Sequence, residues 1–128
     1  STVRPANLGV TRIIGAPYIV DAAFVRNQFL VRIVNKRTVP VQFQLTVVDA
    51  PRDLRQTGFT EPATVPALGE IVQPLVLQQA RGTYAGPFAF TVRVQDAAGS
   101  FHLQRAAEFL GPDVRLLREE EAEVRAHE

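Results

Sequence analysis

An all-β antiparallel sandwich followed by a short helix is the fold this sequence predicts, and three observations carry the prediction. Apolar and polar residues alternate at period two along Asn27 to Asn35, Val41 to Val48 and Phe88 to Val94, which is the pattern of half-buried strands. Nine Pro and eight Gly punctuate the chain, as many short strands and tight turns require. Helix formers gather only after Gly111-Pro112, so no helix separates one strand from the next.

Taken in order, Ser1 to Leu8 is polar and irregular and reads as an entry segment. Val10 to Ile14 is a short extended stretch closed by Gly15-Ala16-Pro17, and Tyr18 to Val20 continues it beyond the break. Asn27 to Asn35 is the clearest strand, with Phe29, Val31 and Ile33 on one face and Gln28, Leu30, Arg32 and Val34 on the other. Asn35-Lys36-Arg37-Thr38 supplies turn chemistry, and Pro40 stands at a strand start, where its missing N–H costs little. Val41 to Val48 follows with Val41, Phe43, Leu45 and Val47 inward, which makes an antiparallel hairpin.

Asp53 to Thr57 is a short edge strand ended by Gly58, and Glu61-Pro62 and Val65-Pro66 bracket another extended piece. After the turn at Ala67-Leu68-Gly69-Glu70, Ile71 to Leu77 alternates again. Pro74 inside that run predicts an edge strand or a bulge. Gln78 to Pro87 reads as a loop. Phe88 to Val94 and Ser100 to Phe109 form a second hairpin about Asp96-Ala97-Ala98-Gly99, with Phe88, Phe90, Val92, Val94, Phe101, Leu103 and Phe109 as core. About seven strands at this spacing predict an immunoglobulin-like sandwich. Asp113 to Glu128 is a charged helix lying on the surface, with Val114, Leu117 and Val124 on one stripe and Glu119, Glu120 and Glu121 largely off it.

The 128 residues make one domain, divided into an entry segment 1–9, a sandwich 10–112 and a tail 113–128. Formal net charge is +1, which gives no global attraction to nucleic acid or anionic lipid. Arginines are scattered along the chain and Lys36 is the one lysine. No apolar run approaches the roughly 18 residues of a membrane span, and no signal-peptide pattern opens the sequence. The chain as given is expected to be soluble.

Catalytic and metal chemistry find few residues to use. The absence of Cys removes thiol nucleophiles, disulfides and thiolate-held clusters from this chain. His102 and His127 are the only histidines. The first alternates outward between Phe101 and Leu103, the second lies in the tail, and no ligand spacing joins them. Ser1 and Ser100 are the only serines, and Ser100 beside Gly99 is a turn residue. Asp49, Asp53, Glu61 and Glu70 sit in predicted loops, where solvation explains them. No glycine loop resembles a phosphate cradle, and exposed aromatics do not interleave with basic residues as single-strand nucleic-acid binding would need. The expectation is a non-catalytic module with no catalytic, cofactor-binding or metal residues and no small-molecule substrate. An exposed edge strand could accept a partner by β-augmentation.

Three stretches carry a family resemblance. They are Val25-Arg26-Asn27-Gln28-Phe29-Leu30-Val31-Arg32-Ile33-Val34-Asn35-Lys36, Gln42-Phe43-Gln44-Leu45-Thr46-Val47, and Glu108-Phe109-Leu110-Gly111-Pro112. In their order and spacing they resemble the C-terminal immunoglobulin-like domain of the FixG/CcoG family over Val25 to Pro112. The resemblance implies a parent protein in the bacterial inner membrane that carries 4Fe-4S clusters on Cys-rich segments. It also implies a role in copper handling and assembly of cbb-type cytochrome c oxidase. The sandwich would then lie on the periplasmic face, contacting oxidase assembly components or the membrane-embedded part of its own protein. None of the family's redox residues fall in this chain. Two other readings stay open: an unrelated extracytoplasmic binding, chaperone or adhesion module, and a domain that binds copper directly.

Overall fold

The computed structural model describes residues 4–128, and in it nine strands form two antiparallel sheets that face one another across a single core. The strands are β1 (Ala6–Arg12), β2 (Ile19–Val20), β3 (Phe24–Asn35), β4 (Val41–Val48), β5 (Arg55–Thr57), β6 (Ala63–Val65), β7 (Glu70–Ala80), β8 (Phe88–Asp96) and β9 (His102–Phe109). The helix α1 (Val114–Ala126) follows. One sheet has the order β1-β3-β7-β5, with β2 also on β3; the other has the order β6-β4-β8-β9. Without β2 and β6 this is the four-plus-three arrangement of a constant-type immunoglobulin domain.

Alternation decides which side chains meet. Phe29, Val31 and Ile33 of β3 and Leu75 and Leu77 of β7 face Phe43 of β4 and Phe90, Val92 and Val94 of β8, all nearly or fully buried. The rings interlock: Phe29 meets Phe90 edge-on at 5.6 Å between centroids, and Phe88 stacks on Phe109 at 4.8 Å, both favoured aromatic geometries.

Several sequence-based expectations are corrected. The sandwich begins before residue 10: Ala6 and Leu8 are core residues of β1. Its start, Ala6-Asn7-Leu8-Gly9, is too poor in β-branched residues to read as a strand. What is described of the entry segment is therefore largely strand, and Ser1 to Val3 lie outside the described residues. To the seven strands of the expected sandwich the short β2 and β6 add two more. Gln78 to Ala80, read as loop, complete β7, with Gln79 paired to Val25.

Pro74 marks neither an edge strand nor a bulge, since β7 lies between β3 and β5 and its register on β3 is unbroken. Asn35 N–H donates to Gly69 O, so alternation places the β3-directed backbone groups of β7 at Ile71, Gln73 and Leu75. Pro74 is directed the other way, past the end of β5, which reaches only Val76. Its missing N–H therefore costs no ladder bond. Gly58 ends β5 there at φ 78°, and a Cβ on it would fall 2.6 Å from the Pro74 carbonyl oxygen, so glycine alone fits.

Helix α1 is docked rather than free. Asp113 caps its N-terminus, accepting from the N–H groups of Arg115 and Leu116. Leu117 is buried, yet Val124 at the far end of the predicted stripe is 56% exposed. Glu121, expected off the stripe, lies on the docked side: it binds Arg81 from the β7–β8 loop and Arg118 one turn back.

Candidate interaction surface

The polar residues that stand out in the sequence prove to hold the fold. Asn27, fully buried, donates to Leu110 O at 2.8 Å and accepts from Leu110 N–H at 2.8 Å and from the Arg12 guanidinium at 2.7 Å. Arg12 also reaches the carbonyls of Pro17 and Glu108 and stacks over the Phe29 ring. Burial pushes its pKa below the usual arginine value, an effect the nearby Glu108 carboxylate opposes. At the other end of β3, buried Asn35 donates to the carbonyls of Val39, Val65 and Pro66 and accepts from Arg37 N–H. The two asparagines of the opening motif thus clamp the two ends of the sandwich, because β3 is long enough to place one at each.

The exit motif is structural too. Phe109 fills the core, Leu110 is held by Asn27, and Tyr84 lies across Gly111 with its hydroxyl donating to Pro112 O at 3.0 Å. Tyr84 is buried, and burial raises its pKa.

The candidate chemical residues are dispersed. Exposed His102 opens β9 and His127 follows α1, with the length of β9 and the helix between them. Ser100 donates to Asp96 within its own turn. Asp96 is itself buried; burial pushes its carboxyl up, but the Ser100 hydroxyl and the N–H groups of Phe101 and Ser100 outweigh this and hold it low. The Thr83 hydroxyl, then the Gln79 amide, hold Asp53 below the usual carboxylate range. Buried Gln79 leaves its Oε1 without a partner among the described residues. Asp49 lies beside a shallow depression of about 270 Å³. Glu61 is exposed, and Glu70 pairs with Arg32 at the start of β7. Among the described residues no group of three His, Asp or Glu converges as metal ligands.

Edge strands offer less than the sequence suggests. Asp96 N–H donates to Phe101 O, so alternation directs the backbone groups of His102, Gln104, Ala106 and Glu108 away from β8. Arg105 covers the Gln104 carbonyl and Arg12 covers that of Glu108. Arginines therefore blunt this edge, a known defence against strand addition. On the outermost strands β5 and β6 only three residues each are paired, whereas β1, the outermost strand at the other side of its sheet, pairs seven residues with β3 and, among the described residues, has no strand on its outer side. What remains is the outer edge of β1, the outer sheet faces and the loops at the two poles. One pole carries the β3–β4, β6–β7 and β8–β9 turns; the other carries α1 and the β7–β8 loop.

The comparisons with known proteins agree with this architecture. A family model described as "IG-like fold at C-terminal of FixG, putative oxidoreductase" matches residues 1–112, further toward the amino end than the resemblance read from the motifs. No curated protein matches the chain. Among solved structures, a FixG-related protein from Vibrio parahaemolyticus superposes with a TM-score of 0.76 at 18% identity, covering 87% of this chain and 100% of that one; at that identity the likeness shows the fold. With seven-eighths of its length matched by one family model, the chain belongs to the family of immunoglobulin-like domains found at the C-terminus of FixG.

Proposed function

We propose that this domain is the non-catalytic periplasmic module of a FixG/CcoG-like membrane iron–sulfur protein. In this reading it assists copper handling and assembly of cbb-type cytochrome c oxidase through protein contacts. The observation that carries the reading is the family match over residues 1–112, and the site geometry supports it. Asn27, Asn35, Tyr84 and Asp96 are all engaged in holding backbone segments in place, and Asp53 is engaged by the Gln79 and Thr83 side chains. The donors in this chain do not fit an iron–sulfur cluster, which takes thiolates; there is no Cys. Cluster chemistry then belongs to other segments of the parent.

The test is deletion of the domain from the parent protein, with assembled oxidase and its copper content as readouts. Loss of assembled oxidase while the parent stays in the membrane supports the reading; normal assembly and normal copper overturn it. Titration of the isolated chain with Cu(I) and Cu(II) separates contact from direct metal handling. Tight stoichiometric binding lost on His102→Ala would replace this reading with a copper-binding one.

A further inference from the structure

Among the described residues, three positions that are not glycine hold a left-handed backbone: Asp49 at φ 59°, Phe59 at φ 49° and Leu68 at φ 56°. That conformation disfavours most L-residues and is easiest for Asn, Asp and Gly. Asp49 is of the tolerant type. Phe59 buries its ring, at 5% exposure, so core packing offsets its strain. Leu68 has neither excuse, since it is a leucine and its side chain is 68% exposed. A strained residue that packs against nothing is a candidate functional position.

Its neighbours indicate the use. Leu68 N–H donates to Arg37 O at 2.9 Å, Lys36 N–H to Pro5 O at 3.0 Å, and Asn35 Nδ2 to Val39 O at 2.9 Å. These bonds tie the β6–β7 turn, the β3–β4 turn and the segment before β1 into one rigid pole. It presents Leu68, Val39 at 47% exposure, and the exposed cations Arg4, Lys36 and Arg37. Among the described residues none of these cations forms an ion pair. The nearby carboxylates are engaged: Glu70 with Arg32, and Asp96 beneath its own turn.

The opposite pole also exposes apolar side chains, Leu116 and Val124, but among charges of both signs, Glu119, Glu120 and Glu123 beside Arg115 and Arg125. The two poles therefore differ in charge while both are partly apolar.

We propose that the Leu68–Val39 pole seats against an anionic lipid surface, with the two apolar tips in the headgroup boundary and Arg4, Lys36 and Arg37 over the phosphates. Charge complementarity selects this pole and this class of lipid. Two protruding tips supply far less than the roughly 800 Å² per partner of a stable protein interface, but shallow interfacial insertion needs only such tips with flanking cations. The inference does not rest on the oxidase-assembly reading and survives if that reading fails.

The test is co-sedimentation of the full chain with vesicles of mixed phosphatidylglycerol and phosphatidylethanolamine, against vesicles of phosphatidylcholine alone. Binding should be confined to the anionic vesicles and weaken with added salt. Lys36→Ala and Arg37→Ala should each reduce it about fivefold. Leu68→Asn should reduce it several-fold while the fold persists, because Asn accepts the left-handed backbone. Arg115→Ala, at the other pole, should leave it unchanged. Equal sedimentation with both vesicle types overturns the proposal, as does an equal loss from Arg115→Ala. Full binding by Leu68→Asn overturns it too, because the pole would then be a plain cationic patch open to any acidic protein.

Discussion

Asn27 and Asn35 show how much of this fold hangs on single buried amides. Truncation of Asn27 strands the N–H and C=O of Leu110 and removes an acceptor from Arg12. Asn27→Ala should therefore destabilise the domain by about 3 kcal/mol, measured as a shift in the urea midpoint with an unchanged slope. Glycines separate by what surrounds them. A Cβ on Gly111 would fall 2.8 Å from Cε1 of Tyr84, whereas nothing lies within 4 Å of one on Gly82. Gly111→Ala should displace Tyr84 and cost roughly 1–3 kcal/mol, as overpacking does. Gly82→Ala should be neutral or stabilise by up to about 1 kcal/mol through the unfolded chain. Thermal unfolding of the pair distinguishes them, and equal effects would refute the Tyr84 contact. In the sequence Asn35 is legible as a turn residue, as its bonds to Arg37 and Val39 bear out, and Asn27 as a motif letter only, because the backbone it holds lies 83 residues away in the chain. Leu68 was legible as a turn residue only; its backbone angle and exposure depend on how the β6–β7 turn docks on Arg37.

Among the elements, legibility followed the strength of alternation. β3, β4, β8 and β9 have one core face and one solvent face, so period two marks them. β5 and β6 are short and are marked by their Gly and Pro boundaries rather than by alternation, whereas β1 starts on small or polar residues, so tertiary pairing rather than local pattern sets where it begins. Helix α1 was legible as a helix, but its docking was not. The face that packs depends on Arg81 and Tyr84, which approach from the β7–β8 loop: Arg118 donates to Tyr84 O at 2.6 Å and Glu121 accepts from both arginines. Leu117→Ala should cost about 2 kcal/mol at most, the loss at which the helix undocks, read as faster hydrogen exchange in α1 than in β3. Burial pushes the Glu121 carboxyl up, but Arg118 and then Arg81 prevail and hold it below the ordinary glutamate value. A depressed carboxyl contributes stability that is present above its unfolded pKa and is lost as pH falls through its folded one. Exchange in α1 should therefore accelerate, relative to β3, on acidification below the ordinary glutamate range. Glu121→Gln should remove that acid-linked step; a step of the same size in the variant would show that another carboxylate governs the docking.

At the scale of the whole molecule, α1 stands apart from the rest, because the family model ends at Pro112 and the two sheets close a core of their own. Within that core, Leu117 is the one fully docked helical residue; Ala6, Phe43, Phe90 and Phe109 come from strands. The Tyr84–Pro112 bond and the Asn27–Leu110 bonds both lie on the sandwich side of Asp113. A chain ending at Pro112 keeps every strand pairing and every aromatic contact, and loses the Leu117 packing together with the Arg118 and Glu121 contacts. It should fold, unfold in a single cooperative transition, and melt roughly 5–15 °C lower than the full chain, as a loss of about 2 kcal/mol implies for a domain of this size. Near-ultraviolet circular dichroism should retain its tyrosine and phenylalanine signals at low temperature. A truncated chain with no cooperative transition would make α1 a founding part of the core. An unchanged melting temperature would mean that the docked face seen here contributes nothing in solution. Between those limits, the helix is an addition secured by one leucine and a pair of arginines to a sandwich whose own clamps are complete without it.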